Sequence, residues 1–138
     1  MQLRANGDLV SENPDAQAIE RRLKDLKGEN DSFAILEKAQ MTYIRTSGSP
    51  ADGFVLEYQD GSLDQHFACS DPDLDSQRVT RAFTLFLDDD QSYKTEFNWE
   101  KQDVGDGEWS RSTEIIVGAI TILGVLILVA SVIWKVAA

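Results

Sequence analysis

Cysteine and histidine each occur once in the 138 residues, as Cys69 and His66. A single thiol closes no internal disulfide, which fits a reducing compartment. One Cys and one His are too few ligands for a closed zinc site. On a strand their odd separation places them on opposite faces, which excludes a Cys-His nucleophile pair. Positive charge is also scarce: 13 Lys plus Arg stand against 24 Asp plus Glu, for a formal net charge of −11. This balance argues against nucleic acid as a partner and against spreading over an anionic leaflet, and it favours a protein with a basic surface. Reaction signatures are missing as well. There is no Gly-rich phosphate loop, no Ser-His-Asp set and no H-E-x-x-H, so the sequence implies no enzyme, no cofactor, no metal and no small-molecule substrate. Finally, Met1 to Val10 lacks the apolar core of a secretory signal.

What the chain does have is a long apolar run near its C-terminus. The twenty residues from Ile115 to Trp134 contain no Asp, Glu, Lys or Arg, and thirteen of them are Ile, Leu or Val. At 1.5 Å per residue a helix of this length is about 30 Å long, the thickness of a bilayer's hydrocarbon core. Trp109 and Arg111 before the run, and Trp134 and Lys135 at its end, are the aromatic and cationic residues that anchor a span at the two interfaces. The expectation is a single-pass, tail-anchored protein, with a transmembrane helix over 114–135 that contacts lipid through 115–134. With no signal ahead of it and a short tail behind it, the acidic N-terminal domain is expected to remain cytoplasmic. Gly118 and Gly124 are six apart, so no G-x-x-x-G dimerisation motif is present.

The preceding residues read as an α+β unit. Residues 1–13 are expected to form a flexible arm, 14–101 a soluble acidic domain, and 102–113 a Gly/Asp-rich linker. The first helix is expected to open with Asn13 as N-cap and Pro14 at N1, with Ala16, Ile19, Leu23 and Leu26 as its apolar stripe and Gly28 at its end. Phe33 to Thr46 reads as a hairpin or a bent strand. Asp60-Gly61 is a two-residue hairpin signal. A tight turn there places Tyr58 opposite Leu63, Phe54 opposite Phe67, and Glu57 opposite Asp64. Like charges so placed are unfavourable unless Arg45 or Lys94 compensates them or the register differs. A second helix is expected from Asp71-Pro72, with Val79, Ala82, Phe83, Phe86 and Leu87 facing the core. Tyr93 to Lys101 alternates like a half-buried strand. The fold expected is an antiparallel sheet of three to five strands with two helices packed on one face, followed by the C-terminal transmembrane helix.

Two acidic groups invite a chemical reading. Asp71-x-Asp73-x-Asp75 opens like a calcium loop, but Ser76 stands where Gly is needed and Ala82 where the bidentate Glu belongs. Capping of a helix accounts for the same acids. Asp88-Asp89-Asp90 lies at a helix C-terminus, where it opposes the dipole; it reads either as a turn that uses left-handed Asp or as an acidic docking spot. The function these features imply is non-enzymatic: a tail-anchored domain that binds or recruits a basic protein at the membrane surface. The expected contact residues are Glu57, Asp64, His66, Glu96 and Glu100 on a wet sheet face, with Asp88, Asp89 and Asp90 as a second patch. The alternatives are a toxin-neutralising immunity protein and an accessory subunit of a larger membrane complex.

Overall fold

Asn6 and Gly7 both adopt positive φ, 52° and 87°, as a type I′ turn requires, and fold Gln2–Ala5 (β1) back against Asp8–Ser11 (β2). The computed structural model describes residues 1–28 and 32–103. Its first segment corrects the flexible arm expected over 1–13: Leu3 and Ala5 are buried, and β1 pairs with a central strand. The remaining strands are Phe33–Ala39 (β3), Thr42–Ser49 (β4), Gly53–Asp60 (β5), His66–Cys69 (β6) and Trp99–Lys101 (β7). They form one seven-stranded sheet in the order β2-β1-β3-β4-β5-β6-β7, with every neighbouring pair antiparallel. This overturns the expected three to five strands. The Asn-Gly hairpin adds two strands that a polar N-terminus conceals.

The helices start later than their prolines suggest. Helix α1 covers Ala16–Lys24 and is capped by Asp15, whose side chain accepts a hydrogen bond from the Ala18 amide at 2.7 Å. Helix α2 covers Ser76–Leu87 and is capped by Asp75, which accepts from the Arg78 amide at 2.8 Å. The expected caps Asn13 and Asp71 lie outside the helices. In each case the working cap is the acid directly before the helix, where its carboxylate reaches the orphan N–H three residues on. Tyr93–Glu96 (α3) is a single helical turn and not the start of a strand. Tyr93 and Phe97 are four apart, a spacing that shares a face in a helix as well as in a strand, and both are buried.

Strand alternation decides what each sheet face holds. Leu3, Ala34, Leu36, Ile44, Leu56 and Tyr58 point to the side where Ile19 and Leu23 of α1 and Val79, Phe83 and Phe86 of α2 complete the core. Each such leucine, isoleucine, valine or phenylalanine side chain, fully removed from water, stabilises the fold by about 1.5–3 kcal/mol before ordering entropy is counted. Tyr58 sits at the junction, stacked on Phe67 at 4.9 Å and edge-on to Tyr93 and Trp99 at 5.2 and 4.6 Å. Both helices therefore serve one face of the sheet. The opposite face, on the same strands, has a different chemistry. Among the described residues no helix is long and apolar enough to cross a membrane. The segments read as membrane span and interface anchors, 114–135 with Trp109, Arg111, Trp134 and Lys135, lie outside the described residues.

Candidate functional site

On β4 and β5 the residues between the core positions are Tyr43, Arg45, Glu57 and Gln59, and the alternation sends them all to the face away from the helices. Antiparallel pairing puts Arg45 directly opposite Glu57 and Tyr43 opposite Gln59, while β6 brings His66 beside Gln59. The outcome is a polar set in the middle of the sheet. Arg45 Nη1 lies 3.2 Å from Glu57 Oε2, and His66 Nε2 reaches the same carboxylate oxygen at 3.4 Å. Gln59 Oε1 accepts from the Tyr43 hydroxyl at 3.3 Å and lies 3.1 Å from His66 Nδ1. The Arg45 guanidinium stands 5.8 Å from the centre of the Phe33 ring.

All five polar side chains are buried, Arg45 and Glu57 completely. Burial pushes the Arg45 guanidinium down to about 9, against the opposing pull of the Glu57 and Tyr43 charges. Loss of water around the cation is thus the largest influence on it, and the adjacent carboxylate offsets part of that cost. An imidazole that contacts a carboxylate through one nitrogen and an amide through the other has both edges committed. The arrangement fixes which residues of β4, β5 and β6 face one another.

The expected wet face therefore divides. Glu57 and His66 are brought together, but in a buried cluster. The register differs from the one a tight Asp60-Gly61 turn requires, because Gly61, Ser62 and a 3-10 turn over Leu63–Gln65 lengthen the connection. Glu57 faces Ala68 instead of Asp64. Arg45 supplies the compensation for Glu57, and Lys94 instead binds Asp60 at 2.8 Å. Asp64 is exposed in that turn, and Glu100 is exposed on β7. Glu96 lies on α3 and receives two hydrogen bonds from Arg81, at 3.1 and 2.8 Å. Asp88, Asp89 and Asp90 form the exposed end of α2. Asp89 takes left-handed φ, 56°, and pairs with Lys38, while Asp90 accepts from the amide and hydroxyl of Ser92.

The three acids from Asp71 to Asp75 also separate by role. Asp75 caps α2. Asp71 binds Arg78 at 3.0 Å and the Asn98 side-chain amide at 2.5 Å, and it accepts from the Cys69 thiol at 3.5 Å. Burial pushes the Cys69 thiol up, away from the reactive thiolate. Among the described residues no group of three or more His, Cys, Asp or Glu side chains is placed to hold a metal ion. Tyr43 and Gln59 escaped the sequence reading as site residues, although each stands two residues from Arg45 or Glu57 on its strand and so shares that residue's face. Comparison of the chain with family models, with curated proteins and with solved structures finds no match in any of the three.

Proposed function

We propose that this chain is a non-enzymatic, membrane-anchored module whose acidic domain binds a basic protein at the cytoplasmic face. The observation that carries the reading is how the domain's charges are distributed after internal pairing. Lys24, Lys38, Arg45, Arg78, Arg81 and Lys94 are each committed to an acid of the same domain, and the cations that make no ion pair among the described residues, Arg4, Arg21, Arg22, Lys27 and Lys101, are outnumbered by the unpaired acids. Asp64, Asp73, Asp88 and Glu100 are exposed and have no cationic partner among the described residues. A surface of this kind attracts basic partners over long range and accelerates their encounter, an effect that salt weakens. The anchor rests on the uncharged run 115–134, and holding the domain at a bilayer raises its effective concentration toward membrane-bound partners.

The test uses the full chain in lipid nanodiscs, cross-linked to proteins of its own source membrane at low and high salt. Asp64→Lys with Glu100→Lys, and separately Asp88→Lys, are compared with the parent. Salt-sensitive capture that the reversals abolish supports the reading. Identical capture by all three proteins removes these acids from the interface.

A further inference from the structure

A cavity of about 690 Å³ at the end of α1 reverses the charge sign of the rest of the chain. Among the described residues, Arg22, Lys24 and Lys27 line it together with one acid, Asp25. Lys24 is held by Glu20 at 2.8 Å, whereas Arg22 and Lys27 have no ion-pair partner among the described residues. The Arg22 Nε is buried and meets no acceptor there. A buried donor without an acceptor loses its hydration with nothing in return, and the loss is greater when it belongs to a charged group. Two neutral donors share the lining. Ser32 Oγ accepts from the Lys27 amide at 2.9 Å, which leaves its own hydroxyl proton to donate. Asn6 Oδ1 accepts from the Phe33 amide at 3.0 Å, which leaves its side-chain nitrogen to donate. At the end of α1 the Asp25 amide donates to the carbonyls of Arg21 and Arg22, at 3.2 Å each, so these two carbonyls have hydrogen bonds of their own.

We propose that this cavity binds an oxyanion of single negative charge, a phosphate diester or a carboxylate. Arg22 grips the oxyanion through its planar guanidinium, Lys27 adds a point charge, and Ser32 and Asn6 donate to the remaining oxygens. Asp25 limits the ligand's charge, because it repels a second negative group. The site is independent of the acidic protein-binding surface. The same oxyanion is found on a soluble ester and on a phospholipid headgroup.

The experiment follows the Arg22 Nε–H resonance of the full chain in dodecylmaltoside micelles while glycerophosphoglycerol or N-acetylglycine is added. The expected result is a saturable shift, at least tenfold weaker in affinity for Lys27→Gln, whose parent side chain is exposed. The corresponding binding heat disappears in Arg22→Gln. Glycerol, which has no charge, leaves the resonance in place. In nanodiscs, a shift on replacing phosphatidylcholine by phosphatidylglycerol assigns the lipid as source, and a shift only with the soluble probe assigns the free ester. No shift with either probe at tens of millimolar overturns the proposal, and so does undiminished affinity in Lys27→Gln.

Discussion

Arg45 and Glu57 face each other across β4 and β5, Nη1 to Oε2 at 3.2 Å, with both side chains withdrawn from water. In such a pair the attraction offsets only part of the desolvation, but removing either partner leaves the other charge buried without that offset. Glu57→Leu and Arg45→Met are therefore each expected to destabilise the domain by about 3–5 kcal/mol. The double variant Arg45→Met with Glu57→Leu is expected to recover most of that loss, and urea denaturation of the four proteins measures the coupling. Additive losses would show that the two side chains act separately.

The pH dependence of stability centres on Asp71. Desolvation pushes its carboxyl up, but the hydrogen bonds from Asn98, Arg78 and Cys69 together outweigh that effect and hold it below the ordinary value of 3.8. A carboxyl depressed by folding contributes stability that is fully present above its unfolded value and is lost as pH falls through its folded value. Asp71→Asn is expected to lower the melting temperature at pH 7 and to have a much smaller effect at pH 2. A pH-independent loss would assign the residue to packing alone.

The neck of the β4–β5 hairpin depends on Gly48. Its φ is +117°, and a Cβ placed there would lie 2.2 Å from the Gly53 carbonyl oxygen, a backbone atom that cannot rotate aside. At Gly7, φ is +87° and an added Cβ meets nothing within 4 Å. Gly7→Ala is expected to cost about 1 kcal/mol through backbone strain alone, and Gly48→Ala clearly more. Equal shifts in chemical denaturation midpoint would contradict the close approach.

These residues also mark where sequence reasoning holds and where it fails. The faces of β5 and β6 follow from alternation, and the structure has Phe54, Leu56, Tyr58 and Phe67 on the core side. The register was not legible, because Asp60-Gly61 fixes it only if the chain turns at once, and here a 3-10 turn intervenes. That difference moves Glu57 from an imagined repulsion with Asp64 to a pair with Arg45. Burial of Glu57, Gln59 and His66 was invisible for a related reason: polar residues at alternate positions signal a solvated face, and only their mutual pairing lets them be buried. The Asn6-Gly7 turn signal stands in the sequence but went unused, because its polar flanks, Arg4, Asp8 and Glu12, read as a flexible arm.

The anchor is expected to determine where the chain resides. On an insertion scale the thirteen Ile, Leu and Val residues of 115–134 contribute on the order of −4 to −8 kcal/mol. Each Asp at the centre of the run adds about 2.5–3.5 kcal/mol. The full chain is expected to stay with membranes after alkaline carbonate washing, and Val125→Asp with Leu126→Asp is expected to release most of it, because two such penalties cancel the gain. Protease added to sealed vesicles from the source membrane, cytoplasmic side out, is expected to remove residues 1–110. Complete release of the parent chain by carbonate would mean that the apolar run finds its shelter in protein instead of lipid.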